Sequence, residues 1–336
     1  MSRSRLLLLV CLLFSLPVAA EAFRQERELM HTRVTVVIVE PSVTPALDAG
    51  FEEVFAVFAG IEQNLNEWKP DSALGRINAA AGGPSVQVDQ QTCEVVEIAL
   101  QGAKRTAGLF DPTWAALKNT WRFGDDDEPK IPLAEEIARQ CTLVGASRVE
   151  LKRNANGCTV RLPEAGMKLG LSGLVKGWGV DQAVKKLRAR GFKNFFIQAG
   201  GDLYMAGKNG PKPWKAGIRD PRGAPDELFA RLEVTDRAFS TSGDYEHFFE
   251  VDGQRFHHII DPRTCRPSPA SRSVTVLSQS ATDAEILSKA AFILGGSAGV
   301  KLLEREKAAG VLVDGNNTVH VSKSLAKRLE RWPLQN

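Results

Sequence analysis

The side chains with most capacity for chemistry are concentrated in residues 240–266, S-T-S-G-D-Y-E-H-F-F-E-V-D-G-Q-R-F-H-H-I-I-D-P-R-T-C-R. This stretch holds a hydroxyl run (Ser240, Thr241, Ser242), the carboxylates Asp244 and Asp261, and three of the five histidines, His247, His257 and His258. Imidazoles and carboxylates of this kind can take or deliver a proton at a reacting group. Two apolar runs, Phe248, Phe249 and Val251, then Phe256, Ile259 and Ile260, flank Asp252-Gly253. That dipeptide between apolar runs is the strongest short-range hairpin signal. A hairpin there presents Ser242-Gly243-Asp244 at one end and His257, His258 and Asp261 at the other, and antiparallel strands bring those ends side by side. Successive strand residues face opposite ways, so at most one of His257 and His258 points into a given site.

Two glycine-rich passages add to this. Residues 168–181 read K-L-G-L-S-G-L-V-K-G-W-G-V-D. A strand that meets a helix through glycines lets backbone N–H groups approach a phosphate, and Lys176 adds a point charge. The spacing is neither G-x-G-x-x-G nor G-x-x-x-x-G-K-[ST]. Gln198-Ala-Gly-Gly-Asp202 reads as a glycine bend at a strand end or as a second wall for a ligand. Each piece alone also fits a tight turn or a structural histidine, and spacing alone argues no Ser-His-Asp order.

These segments need elements to hold them. Residues 30–40 are rich in β-branched types and read as a strand. Residues 45–68 and 90–107 carry apolar residues at helical spacing, and a short helix passes through Arg76, Ile77 and Asn78. From residue 147 short strands dominate: 148–151 and 158–162 around Asn156-Gly157, then 194–198, 203–206, 214–218, 228–234 and 273–277. A helix follows the glycines to about Arg190, another covers 281–294 before Gly295-Gly296, 301–306 extends as a short helix, and a hairpin joins 311–313 to 318–321. Helices early and hairpins late indicate an α+β fold, with a largely antiparallel sheet core and flanking helices.

The 336 residues carry 43 basic and 40 acidic side chains, nearly balanced once Arg3 and Arg5 are set aside, and no basic patch points to nucleic acid. Arg3 and Arg5 precede the apolar run 6–16, Pro17 and small residues, which reads as a secretory signal peptide over 1–22 and one domain over 23–336. The run is too short for a membrane span, so the mature chain is expected to have none. The expected location is exported, in the periplasm. Cys93, Cys141, Cys158 and Cys265 allow three disulfide pairings or buried thiols, with no C-x-x-C zinc pattern. The acidic run Asp125, Asp126, Asp127, Glu128 reads as a solvated loop.

Five segments in order resemble the ApbE family, the exported FAD:protein FMN transferases: Trp68-x-x-x-Ser72 with Ile77-Asn78; Gly108-x-Phe110-Asp111-Pro112-Thr113 with Trp121-x-Phe123-Gly124; Leu171-Ser172-Gly173-x-x-Lys176-Gly177-x-x-x-Asp181; Gly200-Gly201-Asp202 with Trp214-x-x-Gly217-Ile218-x-Asp220-Pro221; and Ser240 to Tyr245 with His258 to Thr264. The resemblance implies the family's T-fold-like architecture. It also implies transfer of FMN from FAD, through a phosphoester, to a Thr or Ser of an exported redox protein, with release of AMP. FAD contacts are implied at Met30, Trp68, Leu109, Phe110, Asp111, Lys176 and Ile260, and a carbonyl toward Mg²⁺ at Gly173. His258 is the candidate for proton transfer or phosphate contact, with Asp244 second. The family's metal helix carries Asp and, four residues on, Thr; here Glu285 and Lys289 stand there. Lysine is a donor-only cation and cannot ligate a metal. The pair is therefore either an exposed ion pair on a solvent-facing helix or a device in which the Lys289 ammonium takes the cation's place. Gly170 stands where the family usually has Asp, and Cys265 where it has glycine. The alternative reading is an FAD-binding protein without Mg²⁺-dependent transfer.

Overall fold

The computed structural model describes residues 21–124 and 128–334, so residues 1–20 of the leader read over 1–22 and the acidic residues Asp125 to Asp127 lie outside the described residues. An eight-stranded sheet runs in chain order through β1 (Glu21–Leu29), β2 (Thr32–Glu40), β3 (Phe195–Ala199), β4 (Asp202–Ala206), β5 (Arg237–Gly243), β6 (Ser271–Ser278), β7 (Ala309–Asp314) and β8 (Val319–Val321). Every adjacent pair is antiparallel. Each strand therefore pairs with the one before it, and the rest of the described chain is inserted between consecutive strands or follows β8. This agrees with the α+β expectation.

Side-chain alternation assigns the two faces of the sheet. Val34, Val36 and Ile38 of β2 point into the larger core, whereas Val37 and Val39 join the other one, as a period of two requires. The larger core lies under α1 (Pro45–Asn64), α5 (Val175–Ala189) and α6 (Ala281–Leu294). In α1 the buried Leu47, Phe51, Val54, Phe55, Phe58 and Ile61 form one helical stripe, and Thr44 caps the start by accepting from the Leu47 N–H. Between α1 and α5 come α2 (Ala73–Ala79), α3 (Gln90–Arg105) and α4 (Ala134–Cys141). The opposite face is covered by a small sheet containing strands Lys212–Arg219 and Leu228–Val234, with Trp214, Ile218, Phe229 and Leu232 packed on Met205, Phe239 and Leu277. On the first face α7 (Gly296–Arg305) sits beside α6 and β7, adding Leu302 and Leu303 to the larger core.

The hairpin at Asp252-Gly253 forms as expected, pairing Phe248–Val251 with Gln254–His257. Asp252 and Gly253 both adopt positive φ, 51° and 75°, which two-residue hairpin turns demand. The Asn154-to-Gly157 hairpin also forms. Several elements were not foreseen, β1 and α4 among them. β1 is polar and mostly exposed, so it has no period-two apolar signal. Met30 and His31, at φ 54° each, turn the chain from β1 into β2, so the strand expected from residue 30 begins at Thr32. α4 is short, with Ile137 as its one buried residue.

The four cysteines among the described residues are paired rather than free: Cys93 with Cys158, and Cys141 with Cys265. The first ties α3 to the strand Gly157–Arg161. The second ties the end of α4 to the loop after the hairpin, beside an aromatic stack of Trp121, Phe256, Phe249 and Phe123.

Candidate active site

The polar centre lies where the starts of β4 and the end of β5 meet α6. That helix is wedged between β5, β6, α5 and α7, and small residues (Ala281, Ala284, Ala290, Ala291) let it sit close. Glu285 is consequently 1% exposed. The solvent-facing ion pair considered for Glu285 and Lys289 is thus not what forms, because the helix is buried on nearly all sides. Glu285 Oε2 accepts from the Gly177 N–H at 2.7 Å in the first turn of α5. Its Oε1 lies 3.4 Å from Lys289 Nζ and 3.7 Å from Lys176 Nζ. Lys289 Nζ also donates to the Glu285 carbonyl at 3.3 Å.

A second buried carboxylate, Asp202, accepts from Ser240 Oγ at 2.6 Å. Ser242 Oγ and Ser288 Oγ are 2.8 Å apart, and Ser288 donates to the Glu285 carbonyl. Burial, and then the Glu285 charge, push the Asp202 carboxyl up to about 7 against the two lysines. Burial works against the Lys176 charge, but Glu285 and Asp202 together outweigh it and hold that ammonium above the usual lysine range. Two carboxylates and two ammoniums thus share one pocket, lined by glycines. A side chain at Gly173 would begin 3.3 Å from Lys289 Cε and from Phe110 Cε2, and one at Gly200 would begin 3.8 Å from Lys176 Cδ.

The two proton-transfer candidates occupy different surroundings. Asp244 is gripped by both guanidinium nitrogens of Arg222 at 2.8 and 2.7 Å, with Arg255 at 3.6 Å. Its oxygens are committed to that fork, which holds the turn after β5. His257 Nδ1 accepts from the Ile259 N–H, so its Nε2–H donates to the Ser268 carbonyl at 2.9 Å; it is a structural histidine. His258 faces the other way. Its Nδ1 is buried with no hydrogen-bond partner. Burial, then the neighbouring His247 and His257 and the Lys289 charge, push it down to about 3. It is a neutral imidazole next to the lysine pocket. The expected alternation of His257 and His258 is observed.

Around the mouth, Trp68 is 69% exposed, and Lys118 Nζ sits 4.0 Å from its ring centroid and 5.1 Å from that of Trp114. Lys118 is ion-paired with Glu67, whose other oxygen accepts from the Leu171 N–H at 2.9 Å. A Cβ at Gly170 would meet Ala115 Cβ at 2.8 Å and Glu67 Oε2 at 3.3 Å. The space beside Gly170 already holds a carboxylate supplied from the turn that follows α1. Leu109 and Phe110 are buried in the main core. Asp111 is committed to its own loop, accepting from Thr113 N and Oγ1 and from Ala146 N at 2.8 Å. Ile260 packs in the aromatic lobe, and Met30 lies at the β1–β2 turn against the main core. The structure therefore brings Gly173, Phe110, Lys176, Glu285, Lys289 and Asp202 together, with His258 alongside. It places Asp244 and Ile260 in separate surroundings. Glu67, Lys118 and Ser288 were not singled out by sequence. A glutamate in the turn after a helix and a serine inside a helix carry no pattern of their own.

Magnesium does not fit this pocket as it stands. Among the described residues no group of three or more His, Cys, Asp or Glu side chains is placed to hold an ion. Lys289 instead presents a cation beside Gly173 and Glu285.

The result is a mostly antiparallel α+β domain with glycine-lined, lysine-bearing walls around a buried carboxylate pocket. The ApbE family model matches residues 30–313, and the chain belongs to the ApbE family. It is 35% identical over 260 residues to the FAD:protein FMN transferase of Treponema pallidum, covering 74% of this chain and 72% of that one. It is 30% identical over 288 residues to that of Haemophilus influenzae, covering 84% and 83%. Among solved structures, the ApbE protein of Thermotoga maritima superposes with a TM-score of 0.82 at 29% identity, over 92% of this chain and 99% of that one. The flavin transferase ApbE of Vibrio cholerae gives 0.80 at 26%, with the same coverage.

Proposed function

We propose that this chain is an FAD:protein FMN transferase acting on a Thr or Ser hydroxyl of an exported redox protein. The hydroxyl oxygen attacks the FMN-side phosphorus of FAD. A new P–O bond forms, the P–O bond to the AMP phosphate breaks, and AMP leaves with the electron pair. The hydroxyl proton passes to a base. Such transfer depends on positioning and charge neutralisation more than on covalent help from the protein. The family relationship over residues 30–313 brings the reaction here. The observation that carries it to this chain's residues is His258. Burial and the Lys289 charge keep it neutral with an unpartnered Nδ1, which makes it the candidate to receive that proton once the bound diphosphate offsets the lysine charge. Lys176 and Lys289 supply positive charge, Gly173 and Gly200 allow close approach, and Trp68 offers an exposed ring face for stacking on a flavin or adenine. No step is assigned to a metal.

The leader pattern supports an exported chain working in the periplasm. The two disulfides suit an oxidising compartment. Removal of a leader over 1–22 would take Glu21 and Ala22 from the start of β1, and removal after Ala20 would leave its pairing with β2 whole.

The test incubates the purified chain with FAD and a flavin-acceptor domain. Product is read as in-gel flavin fluorescence on the acceptor and as AMP released in equal amount. Bound FAD with neither signal would overturn the transferase reading. It would favour the second one, a non-catalytic FAD-binding protein, to which the lysine at the metal-helix position lends support.

A further inference from the structure

We infer that the Lys289 ammonium, together with Lys176, replaces a divalent cation as the neutralising charge for the diphosphate of FAD, so that this site binds its substrate without metal. The inference rests on the reading that FAD is the substrate. It concerns how its phosphates are held.

Four observations converge. First, Lys289 leaves α6 on the face that meets Gly173: its Cε lies 3.3 Å from where a Cβ on Gly173 would start. Second, the carboxylate that an ion would use is already committed. Glu285 Oε2 is taken by the Gly177 N–H at 2.7 Å, and Oε1 faces both ammoniums at 3.4 and 3.7 Å. An ion ligated by that carboxylate would sit roughly 2.0–2.6 Å from its oxygens, against two positive charges. Third, the charges balance without help. Glu285 and an Asp202 carboxyl pushed up to about 7 carry together no more negative charge than Lys176 and Lys289 carry positive, so a divalent ion has no excess negative charge to answer until phosphate arrives. Fourth, Lys289 is not saturated. An ammonium has three donors; Lys289 directs its contacts to the carbonyl and carboxylate of the one residue Glu285 at 3.3 and 3.4 Å. Both are long, and its side chain is partly open to solvent. A phosphate oxygen supplies a better acceptor than either. The lysines approach from two walls, Lys289 at Gly173 and Lys176 at Gly200, which suits a group with two phosphates.

The experiment measures affinity of the full chain for FAD, ADP and riboflavin by calorimetry, with EDTA and then with millimolar Mg²⁺. The expected result is the same Kd for FAD and ADP in both buffers, within about twofold. Lys289→Met raises the Kd for FAD and ADP by about tenfold or more, the scale of a lost charged hydrogen bond. It leaves riboflavin, which has no phosphate, unchanged. Lys289→Arg retains most of the diphosphate affinity. Loss of FAD binding in EDTA, or a tightening of about tenfold by Mg²⁺, overturns the inference, as does a Lys289→Met chain that binds ADP as before. If Lys289→Met fails to fold by circular dichroism, the wild-type comparison of the two buffers decides alone. Failure of flavin transfer with metal-independent FAD binding sinks the transferase reading and leaves this one standing. Transfer that needs Mg²⁺ does the reverse.

Discussion

Asp202→Asn isolates the electrostatics of the buried pocket. In the native chain the Asp202 carboxyl is pushed up to about 7 by burial and by Glu285, with Lys176, Lys289 and the Ser240 hydroxyl pulling the other way. In the unfolded chain it titrates near the ordinary aspartate value of ~3.9. Between those values the folded state holds a proton that the unfolded state has released. Stability must therefore fall as pH rises through the window, by up to ~1.4 kcal/mol per pH unit for this one group. Taken over the whole window the contribution reaches at most about 4 kcal/mol, reduced by whatever relaxation the pocket allows. The amide keeps Oδ1 as acceptor for Ser240 and cannot ionise. The assay is urea unfolding of oxidised wild type and variant from about pH 4.5 to pH 8, compared as a difference at each pH. The variant should gain on the wild type steadily up to about pH 7 and level off above it. A flat difference curve, or one that falls with pH, would refute the reasoning.

The other expectations are briefer. His258→Ala should lower the transfer rate by roughly 10²–10⁴-fold with FAD affinity little changed. The wild-type rate should show no loss near the usual histidine value of ~6.5, because the imidazole stays neutral down to about 3; an acid limb that disappears in the variant would count against it. Cys265→Ser should cost about 2–5 kcal/mol in unfolding experiments, since the bond closes a separation of 124 residues. Equal stability under oxidising and reducing conditions would show that the bond does not contribute. Trp68→Ala should change stability by no more than ~0.5 kcal/mol while weakening FAD by ~1–3 kcal/mol if the ring stacks. An unchanged FAD titration would remove Trp68 from the site.

What could be read from sequence was whatever local chemistry enforces. Asp252-Gly253 folds as a hairpin because both positions need positive φ, and the apolar runs beside it leave one register. α1 declares itself through six buried residues on one stripe. β1 has no such signal: its strand character comes wholly from pairing with β2, and its side chains stay wet. The burial of Glu285 was equally hidden. A charged residue inside an alanine-rich helix looks solvated until packing brings α5, β5 and β6 around it. Glu67 is the same case in the turn after α1. Sequence could place Lys289 four residues after Glu285, on one face, but not say whether that face met water or Gly173.

The topology explains why these distant residues converge. Because the sheet is a plain antiparallel meander, its insertions carry the site. The long one between β2 and β3 supplies Trp68, Phe110, Gly173 and Lys176; the one between β5 and β6 supplies His258; and α6, between β6 and β7, closes the pocket. Among the described residues none of these loops is anchored to the others by sheet hydrogen bonds, so the clamps there are side chains or covalent bonds. Cys141–Cys265 ties the first insertion to the second, and Trp121 Nε1 donates to the Cys265 carbonyl at 2.8 Å on the same joint. Glu285 ties the third to the first through the Gly177 N–H. A carboxylate bound to a backbone N–H and two lysines at once is therefore both a strut and part of the charge balance. Substitutions at Glu285 will mix stability with substrate binding. Lys289, on the same helix but reaching into the mouth, is the position where the two can be separated.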